Sequence, residues 1–594
     1  MGESFGKKMT IEILPAICYN LYIAYPMMLF EIIRNRSAEE TLENPLNGWK
    51  VQGGAAAESL RQKDRDGTIC AYFSLLHSFF GVAELSAAFS FIKENLKGGN
   101  EMDALLTVVE TINKYLSNYV LIILLVGVGL YFSVRTRFVQ VRCFGEGMKN
   151  VFGKIKLRGG SSGGGLSSFQ ALATAVAAQV GTGNIVGACG AILIGGPGAI
   201  FWMWIIAFLG MATIYAEATL AQKTKVTNED GTVEGGPTYY IKTAFTGKFG
   251  KFLAGFFAVA AIIALGFVGA MVQSNSIASN FVNIFKALNV NADFEFIGLE
   301  LNWIMLIVGV ICAALAGLVL IGGTKRLASV TEKLVPVMAV FYLVGGLFVL
   351  CVNIKNVPAA FGMIFKYAFV PQALIGGGFG SAIAAAISNG AKRGLFSNEA
   401  GMGSTPHAHA LAEVKDPHEQ GTVAMTGVFI DTFIVLTMTA LVVISTLHCN
   451  GTISPELYKG GEYLGTATNA TMAQEAFSYT FAKLFGDAAG SIIGKIFVAI
   501  CLFFFAFSTI LSWNYFGKVN FTYLFGKKSA LIYSIVAVAF VFLGSALSNA
   551  LVWELTDMFN YLMVLPNAIA LIALGGLVVS MTKFGNRKDI PEIK

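Results

Sequence analysis

The sequence predicts an all-α protein that crosses a membrane many times, and three observations carry the prediction. Hydrophobic residues make up 55% of the 594 positions and charged residues 13%, about half the charged share, roughly 25%, of an ordinary soluble domain. Mean hydropathy is +0.65 over the whole chain, a value that no water-facing surface of this size sustains. Apolar runs recur from residue 118 to residue 581, each near the ~20 residues needed to cross ~30 Å of hydrocarbon.

The runs lie near 118–133, 168–192, 198–221, 252–285, 303–322, 328–352, 374–391, 422–446, 490–514, 530–548 and 558–581, about eleven spans. An amphipathic helix beginning near Met102 leads into the first, and the long 252–285 run is expected to protrude. Residues 1–101 have another texture. The stretch 11–33 holds Glu12, Pro15, Asn20, Pro26 and Glu31, 71–92 holds His77 and Glu84, and 34–66 is charged and turn-rich. Neither run has the charged start, short apolar centre and small-residue cleavage site of a signal peptide. Residues 1–101 are read as an accessory extension or an overcalled start. Residues 102–167 form an extra helix and a basic loop, 168–352 and 374–582 two five-helix sets, and 583–594 a tail.

Loop charges test the span count independently, because cytoplasmic loops collect lysine and arginine. If the spans alternate in direction, one set of gaps beyond residue 101 holds twenty-five such residues, including Lys392 and Arg393, and the other holds six. The bias places the C-terminus in the cytoplasm and residues near 110 outside.

The formal charge of +6 arises from 42 basic and 36 acidic side chains, which excludes a dense nucleic-acid-binding face. Eight scattered cysteines form no CxxC pair, so neither a disulfide scaffold nor a metal or redox centre is expected. His407 and His409 in PHAHA are spaced as two ligands could be, but with no third nearby they read as part of a solvated loop. AGSIIGKI at 489–496 lacks the hydroxyl residue of a phosphate loop, and no nucleophile or carboxylate pair has suitable spacing, so neither an ATP-driven pump nor an enzyme is predicted. The long loop 447–489 is expected to carry a short helix, and its NGT and NAT triplets are read as coincidence.

Three spans contain features that a plain bundle helix avoids. In AAQVGTGNIVG, 177–187, Gly181, Gly183 and Gly187 flank Thr182 and Asn184. Each glycine costs about 1 kcal/mol relative to alanine inside a helix, so an unwound midpoint is predicted, with close helix packing as the plainer reading. Unwound backbone in lipid is tolerated only where it lines a cavity. In IGGGFGSAIAAAISNGAKRGLFSNEAGMGS, 375–404, Gly376, Gly377, Gly378 and Gly380 break the first span of the second five. Breaks at matching positions of two halves point to an inverted-repeat transporter. In FAFSTILSWNYFG, 505–517, Ser508, Thr509, Ser512 and Asn514 place oxygens in an aromatic span. Such oxygens suit a dehydrated monovalent cation, although membrane Ser and Thr often bond only their own i−4 carbonyl.

VGTGNIVG, GGPGAIFWMWIIAFLGMATIYAE, EGGPTYYI, SNGAKRGLFSNEAGMGSTPHAHA and GVFIDT, together and in this order, resemble the alanine or glycine:cation symporter family over about residues 102–585. The resemblance implies a bacterial leucine transporter-like fold: two inverted five-helix repeats plus one extra helix. It implies sodium-coupled symport of a small neutral amino acid, alanine or glycine, across the plasma membrane. It also implies that Thr182, Gly183 and Asn184 meet the amino-acid carboxylate. Gln273 faces the same pocket, Trp513 closes it, and Gly377, Gly378 and Phe379 line its other side. Na⁺ would sit among the carbonyls of Ala177 and Val180 and the hydroxyls of Ser508 and Thr509, with the register of the hydroxyls open by one residue. Glu217 would brace unwound backbone. Intramembrane charges are rare and functional or paired: Asp431 is a candidate for the ion path or for capping a polar contact near the cytoplasmic end, and Lys392, Arg393 and Glu399 for an inner gate or a solvated turn. The alternatives are proton coupling, another small substrate such as glutamine, and an ion channel.

Overall fold

The computed structural model describes residues 101–153, 166–229, 231–296, 299–369, 379–454, 457–459, 462–463, 465, 468–547 and 550–582. Apart from Glu101, the expected 1–101 extension lies outside the described residues, as do Gly376, Gly377, Gly378 and the 583–594 tail. The rest is helical, with three two-stranded hairpins between helices.

The extra helix consists of α1, Glu101–Tyr115, a π-turn at Leu116–Leu121, and α2, Ile122–Arg135. Two short helices follow, α3, Val139–Arg142, and α4, Phe144–Phe152. The first set of five begins with α5, Ser168–Gln179, started by a capping box in which Ser167 and Gln170 satisfy each other's backbone N–H. It bends by 47° and continues through a π-turn into α6, Ala188–Gly195. Next come α7, Ala199–Thr224, the short α8, Pro237–Ala244, and α9, Gly247–Ala261, which joins α10, Gly269–Ala287, through a π-turn. A membrane span of this length protrudes, as the apolar run predicted. The set closes with α11, Trp303–Ile321, and α12, Gly323–Val352.

After α13, Val357–Phe369, the second set begins with α14, Phe379–Asn398, and the short α15, Pro406–Ala410. Then α16, Pro417–Val428, runs through a π-turn at Phe429–Leu436 into α17, Thr437–Val443, and a further π-turn ending at His448. The helix predicted in the 447–489 loop is α18, Met472–Phe485, packed on α19, Asp487–Phe525. The set ends with α20, Ala530–Leu547, and α21, Ala550–Ala573, and α22, Gly575–Met581, follows.

Among the described residues eight helices are long and apolar enough to span, or nine with the bent α5–α6 pair counted as one. The expected eleven is not reached on this criterion. Helix α2 has only 14 residues, and α14 is not among the spans that pass. Burial divides the spans into two groups. About a third of the apolar window of α11, α12 and α20 is buried, against 61–72% in the other five. Exposed Ile307, Val310, Leu318, Val337, Val344 and Ile535 therefore form a lipid-facing rind. The helices that carry the glycine breaks and polar side chains are inside.

The order of the helices places the turn after α7 and the turn after α10 on opposite membrane faces, since one span separates them. Val226 and Val290 are equally exposed, 46% each. A membrane-impermeant thiol reagent should label Val226→Cys from the cytoplasmic side alone and Val290→Cys from the other side alone. Labelling of both from one side would overturn the assignment.

Candidate functional site

The interruption at 180–182 forms with little help from glycine torsions. Val180 leaves the helix at φ −79°, ψ 85°, and neither Gly181 nor Gly183 has a positive φ. These glycines serve close approach. A Cβ on Gly181 would collide with the Thr509 hydroxyl, and one on Gly183 would come within 2.9 Å of the Ser397 Cα. Thus the packing reading of the motif holds together with the unwinding.

Side chains meet several of the peptide groups at the break, beside the backbone bonds from Gly181 N–H to Gln179 O and from Asn184 N–H to Gly181 O. The Gly181 N–H donates to Asn184 Oδ1 at 3.0 Å and the Thr182 N–H to Gln273 Oε1 at 3.2 Å. The Ala177 carbonyl accepts from Ser508 Oγ at 3.2 Å and Thr509 Oγ1 at 3.0 Å, while Ala178 O accepts from Thr509 at 3.2 Å. Both hydroxyls also reach Phe505 O, at 2.8 and 3.1 Å, and Ser512 Oγ donates to Thr174 O. The register left open in the sequence is therefore Ser508 with Thr509. Val180, nearly fully buried, lies at the same junction. Thr182 Oγ1 is buried there without a hydrogen-bond partner, a polar atom placed to meet something else.

Asp431 joins this junction. It sits in the π-turn of the α16–α17 span, a local widening of the helix that often marks function. Its fully buried carboxylate accepts from Asn184 Nδ2 at 2.7 Å, Thr432 Oγ1 at 2.8 Å and Ser397 Oγ at 3.0 Å. All three donors are neutral.

Of the glycine cluster, Gly376, Gly377 and Gly378 lie outside the described residues, and a further interruption is described at the other end of α14. Helix α14 is continuous from Phe379 to Asn398, and the described break runs through Glu399–Thr405. Glu399 has φ 57°, and Gly401 and Gly403 have φ 90° and 83°, left-handed backbone that favours glycine. The signal was present in SNEAGMGSTP, where two glycines precede a helix-starting proline. Phe379 stands at the other end of α14, ~28 Å from Asn398 at 1.5 Å per residue. It is therefore Phe396 that meets Trp513, edge to face at 5.8 Å.

Glu217 braces backbone at this second break. Its carboxylate accepts from the Gly401 N–H at 3.1 Å and from Asn567 Nδ2 at 2.6 Å. Asn567 also donates to Gly401 O at 2.9 Å and accepts from the Tyr240 hydroxyl. Gln179 Nε2 donates to Asn398 O at 2.8 Å, tying the two breaks together directly.

Trp513 is buried with its Nε1–H on Glu399 Oε1 at 2.5 Å, and Ser404 donates to the other carboxylate oxygen. Its ring lies against Gly269, where a Cβ would come within 2.6 Å of it. Glu399 therefore forms no gate with Lys392 or Arg393. Arg393 lies inside α14, 3.6 Å from Asp557 and 5.8 Å over the Trp553 ring. Lys392 and Arg393, counted among the cytoplasmic loop charges in the sequence, lie within α14. His407 and His409, expected in a solvated loop, are buried in α15. His407 is stacked between Phe257 and Phe516 and His409 bonds Gln420.

A family model described as the sodium:alanine symporter family matches residues 102–589. The sodium/alanine symporter AgcS of Methanococcus maripaludis is 40% identical over 481 residues, 81% of this chain and 97% of the relative. YrbD of Bacillus subtilis, named for sodium/proton-dependent alanine carriage, is 39% identical over 470 residues, 78% of this chain and 89% of that one. The crystal structure of MhsT in complex with L-phenylalanine is similar at 14% identity and a TM-score of 0.47, over 71% of this chain and 89% of MhsT.

Replacing Glu217 by Ala strands Asn567 and the Gly401 N–H in a dry site, where each lost charge-assisted bond is worth about 1.5–3 kcal/mol. Glu217→Ala should therefore lower the melting temperature in detergent sharply, and Glu217→Gln, which keeps an acceptor, should lower it less. Equal melting of the two variants would remove the bracing role.

Proposed function

This chain belongs to the sodium:alanine symporter family, a family of transporters and not of enzymes, and from that premise we propose how it couples two ligands. It carries a small neutral amino acid, alanine or glycine, with sodium across the plasma membrane by alternating access. One observation supports this most: two helix interruptions and the hydroxyls of α19 meet in a single buried polar junction, through Asn184–Asp431–Ser397 and Ser508/Thr509–Ala177.

Sodium takes the place of the hydroxyl protons at that second contact. Ala177 O, Val180 O, Phe505 O and the Ser508 and Thr509 hydroxyls offer neutral hard oxygens, the donor type suited to a group I cation. Binding there pins α5 to α19 and thereby holds the break. The amino-acid carboxylate meets the N–H and polar groups of Thr182, Gly183 and Asn184. To do so it displaces the Gln273 amide from the Thr182 N–H, which makes Gln273 a placeholder for substrate. Trp513 and Phe396 confine the side chain, leaving room for a methyl group or a hydrogen. Asp431 supplies negative charge met by neutral donors, so a cation passing the break, sodium or the substrate ammonium, is stabilised by it. Each ligand favours the arrangement the other needs, which is reciprocal linkage. A membrane potential of 100 mV adds about 2.3 kcal/mol per charge moved.

With the C-terminus cytoplasmic, α14 descends from outside. The Arg393–Asp557 pair then lies above the junction as part of an outer gate, in place of the inner one the sequence suggested. Proton coupling is the alternative reading, and the neutral oxygen set around Ala177 favours sodium over it.

In proteoliposomes an inward sodium gradient should drive uptake of labelled alanine or glycine, and equal uptake with potassium throughout would refute the ion assignment. Ser508→Ala/Thr509→Ala should raise the sodium concentration for half-maximal uptake at least tenfold. Asp431→Asn should reduce uptake while leaving the melting temperature near that of the parent, because the amide retains acceptor and donor groups. Unchanged sodium dependence in the double variant would place the ion elsewhere.

A further inference from the structure

Away from the polar junction, three metal-ligating side chains converge at the opposite end of the α16 helix from Asp431. Cys143 is the residue between α3 and α4, Glu146 lies one turn further along α4, and His418 is the second residue of α16. One ligand atom of each, the Sγ, a carboxylate oxygen and a ring nitrogen, lies within 4.8 Å of the other two. Packing that owes nothing to these side chains sets the arrangement. Gly147 lets α4 lie against α16, where a Cβ would meet Thr422 O at 2.6 Å. Asn150 Nδ2 donates to Thr422 Oγ1 at 3.1 Å, and Phe144 packs edge to face on Phe429 at 4.8 Å.

A chain of hydrogen bonds places a proton on the imidazole nitrogen that points away from the cluster. Thr582 Oγ1 donates to Val578 O at 2.9 Å, so it accepts from the Tyr215 hydroxyl at 3.2 Å. With its own proton committed there, Tyr215 O accepts from His418 Nδ1–H at 2.6 Å. That leaves Nε2 to face Glu146 Oε2 at 3.4 Å. Two acceptors facing each other require a positive charge between or upon them. A ring nitrogen fixed by a bond from its partner nitrogen is also the usual support of a metal-binding histidine.

We propose that Cys143, Glu146 and His418 form a regulatory site for a divalent transition-metal cation of the zinc class. Thiol, imidazole and carboxylate are the ligands of zinc sites that keep one position open to water. On binding, the Cys143 thiol releases its proton to solvent and the thiolate bonds the metal, so affinity falls as pH drops. His418 begins the span whose π-turn carries Asp431, about three and a half turns further on. Metal bound there clamps that span to α4 and slows any cycle in which the two move apart. This consequence rests on the transport reading; the metal site itself does not.

The test is titration of the purified full-length protein with Co²⁺ and then Zn²⁺. The expected result is one Co²⁺ per chain with a thiolate-to-cobalt charge-transfer band that Zn²⁺ abolishes. Cys143→Ser should remove the band, and Glu146→Gln, at an exposed position, should weaken binding at least tenfold while keeping the parent melting temperature. Micromolar Zn²⁺ should slow uptake by the parent protein and not by Cys143→Ser, with recovery on chelation. A band of parent intensity in Cys143→Ser, or no saturable binding to the parent, overturns the site. Binding without any change in uptake overturns the regulatory role and leaves the site. If Nε2 is protonated instead, the His418–Glu146 contact is an ion pair and no cobalt band forms.

Discussion

A peptide group opened inside hydrocarbon has no water to bond, and this constraint organises the interior of the molecule. Two helices are interrupted inside the bundle, and the groups they release would cost several kcal/mol each if left bare. Side chains from other helices meet them. Gln273 and Asn184 take N–H groups at the first break, and Ser508 and Thr509 cover carbonyls there. Glu217 and Asn567 hold Gly401 at the second. A group of the buried polar residues is thus accounted for by two short stretches of backbone.

Such satisfaction is exchangeable, which separates it from ordinary structural bonding. A hydroxyl that donates to a carbonyl can instead offer its oxygen to a cation, and the same carbonyl can do likewise. An amide oxygen that holds an N–H can release it to a carboxylate. The Gln179–Asn398 bond connects the two stretches directly. Trp513 of α19 packs on Phe396 and donates to the Glu399 carboxylate in the same region.

Glycine has two different roles at the two interruptions, and this explains why the sequence was a better guide to one than to the other. At the first break Gly181 and Gly183 are needed because α19 and α14 come too close for a side chain, and clustering within an apolar span shows this directly. At the second, Gly401 and Gly403 supply left-handed torsions next to Glu399. That stretch is flanked by Asn398, Glu399 and Ser404 rather than by an apolar run, so its glycines do not stand out in the sequence.

The sequence by itself determined the membrane class, the order of the spans and the first interruption. Each of these follows from local composition or from residues a fixed number of positions apart. Only the tertiary structure decided that Asp431 answers Asn184, that Glu217 serves Gly401, that Arg393 pairs with Asp557 and that His407 is buried between rings. Those partners are separated by tens to hundreds of residues, and helices that are apolar all round carry no periodic mark of which face meets which neighbour. Contact between them is set by packing, and packing is a property of the whole bundle.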